Sequence, residues 1–142
     1  VYGSTTGNTE ALAEIIGRGI SEAGHETKVV NAADVAAPGL CDGWDMALFG
    51  CSAWGDDEVV LQDDFQALYD EFDQINVKGK KAAAFATGDS NFTLFCGSVD
   101  VIQDRLEELG AEIVAEGLKI DGQAQSDQPE VRDWIKKVVS AL

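Results

Sequence analysis

Apolar residues follow two alternating spacings along the chain, which predicts alternating helices and strands. Spacings of three and four residues predict helices over 10–23, 61–72 and 100–109, and from Pro129 to Leu142. Short runs of β-branched or small apolar residues predict strands over 26–31, 45–51, 81–87 and 111–120, the last in one piece or in two around Glu116-Gly117. This alternation predicts an α/β fold with a parallel sheet covered by helices on both faces.

The opening stretch Gly3–Thr9 is the first candidate for chemistry. It combines two glycines with hydroxyl and amide side chains directly before a helical pattern. Glycine allows successive backbone N–H groups to converge, and a helix N-terminus favours negative charge, so the stretch suits a phosphate. An ordinary N-cap loop has a similar composition. Composition alone leaves both interpretations open.

Two further loops follow predicted strands and carry aromatic side chains. Trp54 lies in 52–58 and Phe92 lies in 88–97, each among glycine and polar residues. The two rings either fold back onto the core or flank a planar ligand. Because ligands of parallel α/β sheets bind outside the carboxyl ends of the strands, a phosphate at the opening loop and a ring between these side chains describe a mononucleotide with a large aromatic ring.

Composition narrows the class of protein. With 142 residues the chain is long enough for one domain with a real core, 1–142. The 26 acidic residues against 10 basic ones give a net charge of −16, which argues against nucleic acid or an anionic membrane surface and favours partners with basic surfaces. The cysteines number three and lack C-x-x-C spacing, so neither a disulfide framework nor a zinc site is predicted; a reducing cytosol fits them. No membrane span or secretion signal is evident in the sequence.

The strand that should precede the opening loop is short. Only Val1 and Tyr2 come before Gly3, and a loop of this kind normally follows a buried strand. We therefore expect several more apolar residues upstream in the natural protein.

Three motifs in order resemble flavodoxins, namely 1–10, 50–57 and 87–97. The spacing between them is similar to that of the short-chain flavodoxins of sulfate-reducing bacteria, and the resemblance covers essentially the whole chain. It implies a five-stranded sheet in the order 2-1-3-4-5 with a truncated first strand. It also implies a noncovalent FMN and a low-potential one-electron carrier, not an enzyme, that shuttles between semiquinone and hydroquinone.

The resemblance also implies roles for individual residues. The opening loop would enclose the phosphate, Trp54 would cover the inner flavin face, and Phe92 would stack on the outer face. Gly55 would turn a carbonyl toward flavin N5, and Asp89 and Cys96 would approach the pyrimidine end past Gly88. The full predicted site comprises Ser4, Thr5, Thr6, Gly7, Asn8, Thr9, Ser52, Ala53, Trp54, Gly55, Thr87, Gly88, Asp89, Phe92, Phe95 and Cys96, with no catalytic residue and no metal ligand.

One residue departs from the family, and some alternatives stay open. Relatives usually have tyrosine where this chain has Phe92, so any contribution of a phenol hydroxyl is lost.

A small FMN-dependent oxidoreductase and a phosphate-binding signalling domain are the alternative functions. We expect a monomer in the cytoplasm, and for the carrier the acidic run after Trp54 predicts docking on basic surfaces of redox proteins. The same run is equally typical of a solvated helix face.

Overall fold

The computed structural model describes residues 1–54 and 58–142, and it confirms the predicted doubly wound α/β fold. The strands are β1 (Tyr2–Gly3), β2 (Met46–Cys51), β3 (Ala53–Trp54), β4 (Val60–Leu61), β5 (Lys81–Gly88), β6 (Glu112–Ile113) and β7 (Leu118–Asp121). The helices are α1 (Asn8–Glu22), α2 (Asp63–Tyr69), α3 (Gly97–Glu108) and α4 (Pro129–Ser140).

The central sheet is parallel and has the predicted order. β1 pairs with β2, β2 pairs with β5, and both β6 and β7 pair with the far edge of β5. β6 and β7 are the two pieces of the last strand, separated at Glu116-Gly117. A parallel bridge between Tyr2 and Asn31 places the segment 26–31 on the other side of β1. If the segment 26–31 counts as the second strand of the five and β6 with β7 as the fifth, the spatial order is the predicted 2-1-3-4-5.

The predicted strand over 26–31 does not form a regular strand. Beyond the bridge at Asn31, its described link to the sheet is the hydrogen bond that Tyr2 N donates to Val30 O over 3.0 Å. The neighbouring strand β1 offers only two residues, so a longer ladder has no partner groups, and β-branched composition does not replace one. The short antiparallel pair β3–β4 was not predicted from the sequence.

The side chains of β5 alternate between two cores. Ala82, Ala84 and Ala86 face α2 and α3, whereas Ala83 and Phe85 face α1 and α4. All five are nearly inaccessible to solvent, as the small residues of this strand predicted. The central strand therefore holds both helical layers close to the sheet.

Helix boundaries differ from the predicted ones in a way that matters for the site. α1 begins at Asn8 instead of Glu10, and α3 begins at Gly97 instead of Asp100. Both helices thus begin within the loops that carry the candidate chemistry. α2 ends at Tyr69, and a short 3₁₀ turn at Phe72–Gln74 replaces the rest of the predicted helix. Within the described ranges, no helix has the length and apolar character required to cross a membrane.

Candidate cofactor site

The three predicted loops meet at one edge of the sheet. β1, β2 and β5 are parallel and end at Gly3, Cys51 and Gly88, so the chain leaves all three at the same edge. Ser52 N donates to Gly3 O over 3.2 Å and joins the first two loops. A Cβ on Gly3 would lie 2.5 Å from Gln62 Oε1, so only glycine allows this close approach.

The opening loop turns into α1 without a side-chain cap. Gly7 occupies the N-cap position in the left-handed region, with φ 94°, and no side chain accepts a hydrogen bond from the first turn. Ser4 Oγ instead accepts a hydrogen bond from Gly7 N over 3.1 Å, which leaves its own proton free to donate. The first N–H groups of a helix have no acceptor within the helix. The loop therefore offers several neutral donors around the start of α1.

The hydroxyl groups of the opening loop differ in accessibility. Thr5 and Thr6 are exposed, and Ser4 and Asn8 are half-buried. Thr9 is only 1% exposed, and its Oγ1 lies 2.9 Å from Oγ1 of Thr87 at the end of β5. Thr9 therefore connects the first predicted loop to the third.

The two aromatic side chains do not fold back onto the core. Trp54 is 46% exposed in β3, and Phe92 is 58% exposed in the loop after β5. Val60, which pairs with Trp54 across β3 and β4, is exposed as well. Exposed apolar side chains concentrated beside polar loops are typical of ligand or partner sites.

A compact turn presents Phe92. Asp89 Oδ1 accepts a hydrogen bond from Asn91 N over 2.9 Å, and Asp89 O accepts one from Phe92 N over 3.1 Å. Ser90 N and Ser90 Oγ both donate to the carboxylate of Asp121 at the end of β7. These bonds to Ser90 lower the pKa of Asp121 below its usual value. The turn is thus attached to a neighbouring strand by a carboxylate that stays ionised.

Ser52 carries a buried polar atom without a partner. Among the described residues its Oγ is the buried side-chain oxygen or nitrogen that makes no hydrogen bond. Its backbone is fully engaged, since Ser52 O accepts from Gln62 N over 2.9 Å. Leaving a buried hydroxyl unpaired costs about 1–3 kcal/mol, so this atom indicates a ligand group or water at the site.

Gly88 and Cys96 bring the third loop close to the start of α3. A Cβ on Gly88 would lie 3.0 Å from Cys96 Sγ, and Cys96 itself has φ 49°, unusual for a residue with a side chain. Burial raises the pKa of the Cys96 thiol to about 11. The thiol is therefore protonated near neutral pH and serves in packing. Phe95 is half-buried against the core, and Ala53 lies in β3.

Part of the second predicted loop lies outside the described residues, and the structure adds supporting residues that were not predicted. Gly55 and the acidic residues Asp56 and Asp57 lie outside the described residues. The structure adds residues that the sequence did not single out, each of which supports a loop: Gln62, Ser98 and Asp121. Ser98 Oγ donates to Cys51 O over 2.6 Å at the end of β2. Their sequence signal was weak, because an isolated polar residue next to a helix start or at a strand end has many other uses.

The surroundings of the site are acidic. Glu58, Asp63, Asp64 and Asp89 are exposed around the edge of the sheet. Lys119 pairs with Asp100 over 2.8 Å, which removes one positive charge from the same edge. In the part of the chain that the structure describes, no group of His, Cys, Asp and Glu is arranged to hold a metal ion.

Comparison with known proteins identifies the family to which this architecture belongs. The flavodoxin family profile matches residues 1–134. The chain is 53% identical over 142 residues to a flavodoxin of Nitratidesulfovibrio vulgaris, which covers the whole chain and 96% of that protein. The chain belongs to the flavodoxin family.

Other relatives agree with this assignment. A flavodoxin of Maridesulfovibrio salexigens is 46% identical over 134 residues, covering 94% of this chain and 90% of that protein. The crystal structure of oxidised Flavodoxin 1 from Bacillus cereus superposes with a TM-score of 0.86 at 32% identity, covering 99% of this chain and 95% of that one. This chain spans 96% and 90% of the two curated relatives, which supports the short-chain type of flavodoxin that the motifs indicated.

Family membership confirms the predicted class of function. Flavodoxins are small electron carriers that bind FMN, and they are electron-transfer proteins, not enzymes. This protein is therefore an FMN-binding electron carrier that serves redox partners. The oxidoreductase and signalling alternatives are not favoured by any of these comparisons.

Proposed function

We propose that the predicted site residues hold FMN with its phosphate in the opening loop and its ring between Trp54 and Phe92. The position of the two aromatic rings relative to the start of α1 is the observation that carries this assignment. The two exposed rings lie at the edge of the sheet where α1 begins without a side-chain cap. FMN supplies one-electron chemistry when bound, and the protein supplies the donors, the stacking faces and the surrounding charge.

The phosphate end suits a dianion held by neutral donors. No basic residue occurs before Arg18, so the charge of the phosphate must be met by hydroxyl and backbone N–H groups. Ser4 keeps a free hydroxyl proton, and Thr5 and Thr6 are exposed to a ligand. Hydrogen bonds to an ionised acceptor are stronger than neutral ones, which makes such a set sufficient.

The ring end suits a flat apolar ligand. Trp54 and Phe92 present stacking faces, and Ser52 Oγ offers a hydrogen bond that nothing in the described protein accepts. Gly88 permits close passage of the chain beside Cys96. Asp89 and Cys96 would meet the pyrimidine end through backbone N–H groups, and the role of Gly55 stays a prediction from the family.

The carrier meets its partners through its acidic edge. Exposed carboxylates at Glu58, Asp63 and Asp89 surround the proposed ring site and match basic surfaces on redox proteins. We assign the whole chain, 1–142, to one domain that works as a monomer in the cytoplasm, without nucleic acid or membrane as a partner.

Two measurements test this proposal. Flavin-free protein should take up one FMN with quenching of flavin fluorescence, and a protein that takes up no FMN would refute the assignment.

For docking, Asp63→Lys should slow electron transfer to a basic partner at low salt by a few-fold, since it reverses a charge beside the site. The matched control is Glu107→Lys. α3 begins beside the site and Glu107 lies near its other end, so this variant should leave the rate nearly unchanged. Equal effects of both variants, or rates indifferent to salt, would contradict docking through this edge.

A further inference from the structure

Two buried hydroxyl groups join the opening loop to the end of β5. Thr9 is 1% exposed and Thr87 is 5% exposed, and their Oγ1 atoms lie 2.9 Å apart. The two residues are 78 positions apart in sequence. A hydrogen bond between two buried side chains of such distant loops fixes the position of one loop relative to the other.

This pair of hydroxyl groups has one O–H donor more than the described protein has acceptors for it. Each hydroxyl has one proton to donate and can accept two hydrogen bonds. The bond between the two oxygens uses one proton, and neither oxygen donates to any other described group. One O–H is therefore left without an acceptor in a nearly closed position, which is unfavourable unless a ligand or water accepts it.

The direction of the shared bond decides where the remaining proton is available. If Thr9 donates to Thr87, the remaining proton belongs to the end of β5. If Thr87 donates to Thr9, the remaining proton belongs to Thr9, the second residue of α1, in the loop that offers the neutral donors. An anion in that loop stabilises the second arrangement, because a hydrogen bond to an ionised acceptor is the stronger one.

We propose that Thr87 is a positioning residue for the phosphate of the cofactor: it donates its hydroxyl proton to Thr9 and thereby directs the Thr9 proton to a phosphate monoester. This inference rests on the proposed placement of FMN. It assigns Thr87 to the phosphate end of the site, although its neighbours Gly88 and Asp89 serve the ring end. The two ends are then coupled through one hydrogen bond at the end of β5.

The test compares FMN with riboflavin, which has the same ring and no phosphate. In Thr87→Val, which keeps the branched shape and removes the hydroxyl, the dissociation constant for FMN should rise about fivefold, as expected for one net hydrogen bond. The dissociation constant for riboflavin should change by less than about twofold. Thr87→Ser restores the hydroxyl and should restore FMN binding. Both constants come from quenching of flavin fluorescence on titration of the flavin-free protein.

A double variant separates coupling from two independent effects. Thr9→Val alone should weaken FMN binding, and adding Thr87→Val to it should cause almost no further loss, since Thr87 acts through Thr9. Additive losses would overturn the proposal, as would equal losses of FMN and riboflavin in Thr87→Val, which would place Thr87 at the ring. Unchanged binding of both ligands would overturn it as well.

The failure of the proposal is distinct from the failure of the FMN site. If the unaltered protein bound no FMN, the site assignment would fall before any variant was made. If Thr87→Val did not fold, judged by circular dichroism and thermal unfolding, Thr87→Cys would take its place, because the thiol has similar size and is only a weak donor. Its ratio of FMN to riboflavin affinity should fall below that of Thr87→Ser, and an equal ratio would contradict the proposal.

Discussion

The phosphate end and the ring end of the proposed FMN site differ in how far the protein prepares them. At the phosphate end, Gly7 and Ser4 form a hydrogen-bonded turn, and Thr9 is buried against Thr87. At the ring end, Trp54 and Phe92 stand about half exposed. Hydrogen bonds of the loops orient the first end, whereas the second end presents apolar surfaces that no described part of the protein covers.

This difference implies a division of work between the two ends. A preorganised donor set lowers the cost of binding the anion, because few groups lose freedom when it arrives. Stacking faces gain most of their free energy from the apolar area that the ring removes from water. Changes at the phosphate end should therefore discriminate FMN from riboflavin, and changes at the ring end should affect both ligands equally.

The largest expected effect is at the ring end. Trp54→Ala should weaken the binding of both FMN and riboflavin by about 1–3 kcal/mol, the usual contribution of one aromatic ring stacked on a base. The free energy of unfolding of the flavin-free protein should fall by about 1–2 kcal/mol, because about half of this side chain is buried. Parallel fluorescence titrations with the two flavins measure the first effect and urea unfolding measures the second.

A matched control uses an exposed apolar residue away from the site. Val29 is 40% exposed on the segment beside β1, and Val29→Ala should leave both flavin affinities unchanged. A loss confined to FMN in Trp54→Ala would contradict the division between the two ends, because it would place a ring-end residue in contact with the phosphate.

A smaller effect is expected at Ser52, the ring-end residue directly after β2. Ser52→Ala should weaken FMN binding by about 1 kcal/mol while leaving the flavin-free protein as stable as before or slightly more stable, since it removes an unpaired buried hydroxyl. The neighbouring change Ser98→Ala is the matched control. It breaks a bond of 2.6 Å to Cys51 O and should lower stability by about 1 kcal/mol. A stability loss in Ser52→Ala like that of Ser98→Ala would show that Ser52 Oγ has a protein partner.

The sequence predicted the layers of the fold because its signals were local. Helical spacing and strand composition placed α1, β2, β5 and α3 near their observed positions, and even the break at Glu116-Gly117 was visible. The segment 26–31 had the composition of a strand but lacked a neighbour long enough to pair with it. Pairing depends on the rest of the sheet, so composition could not foresee that outcome.

The site was predictable as a set of loops, less so as a set of interactions. Glycine, hydroxyl and aromatic residues at strand ends indicated three loops, and the structure brings these loops to one edge of the sheet, while their binding of FMN stays a prediction. The bonds between loops, such as Thr9 with Thr87 and Ser90 with Asp121, join residues 78 and 31 positions apart. No local sequence pattern predicts such long-range contacts. The unpaired hydroxyl of Ser52 is likewise a property of the packed structure.

The smallest expected effect concerns the attachment of the Phe92 turn to Asp121. Hydrogen bonds from Ser90 hold the pKa of Asp121 below its ordinary value of 3.8. They are therefore fully present above that value and are lost as the pH falls through the lower pKa of the folded protein. Protection of the Ser90 amide from hydrogen exchange should fall in the same acidic range, and Ser90→Ala should bring the pKa of Asp121 back toward 3.8.

An NMR titration of the Asp121 carboxyl carbon measures this pKa directly. The control Asp127→Asn removes a charge from the neighbouring exposed loop without touching Ser90, so the titration of Asp121 should stay close to that of the unaltered protein. The same pKa for Asp121 with and without the Ser90 hydroxyl would mean that this hydroxyl does not bind the carboxylate. The turn would then be held to β7 by the Ser90 amide alone, and the ring end would be still less prepared than the phosphate end.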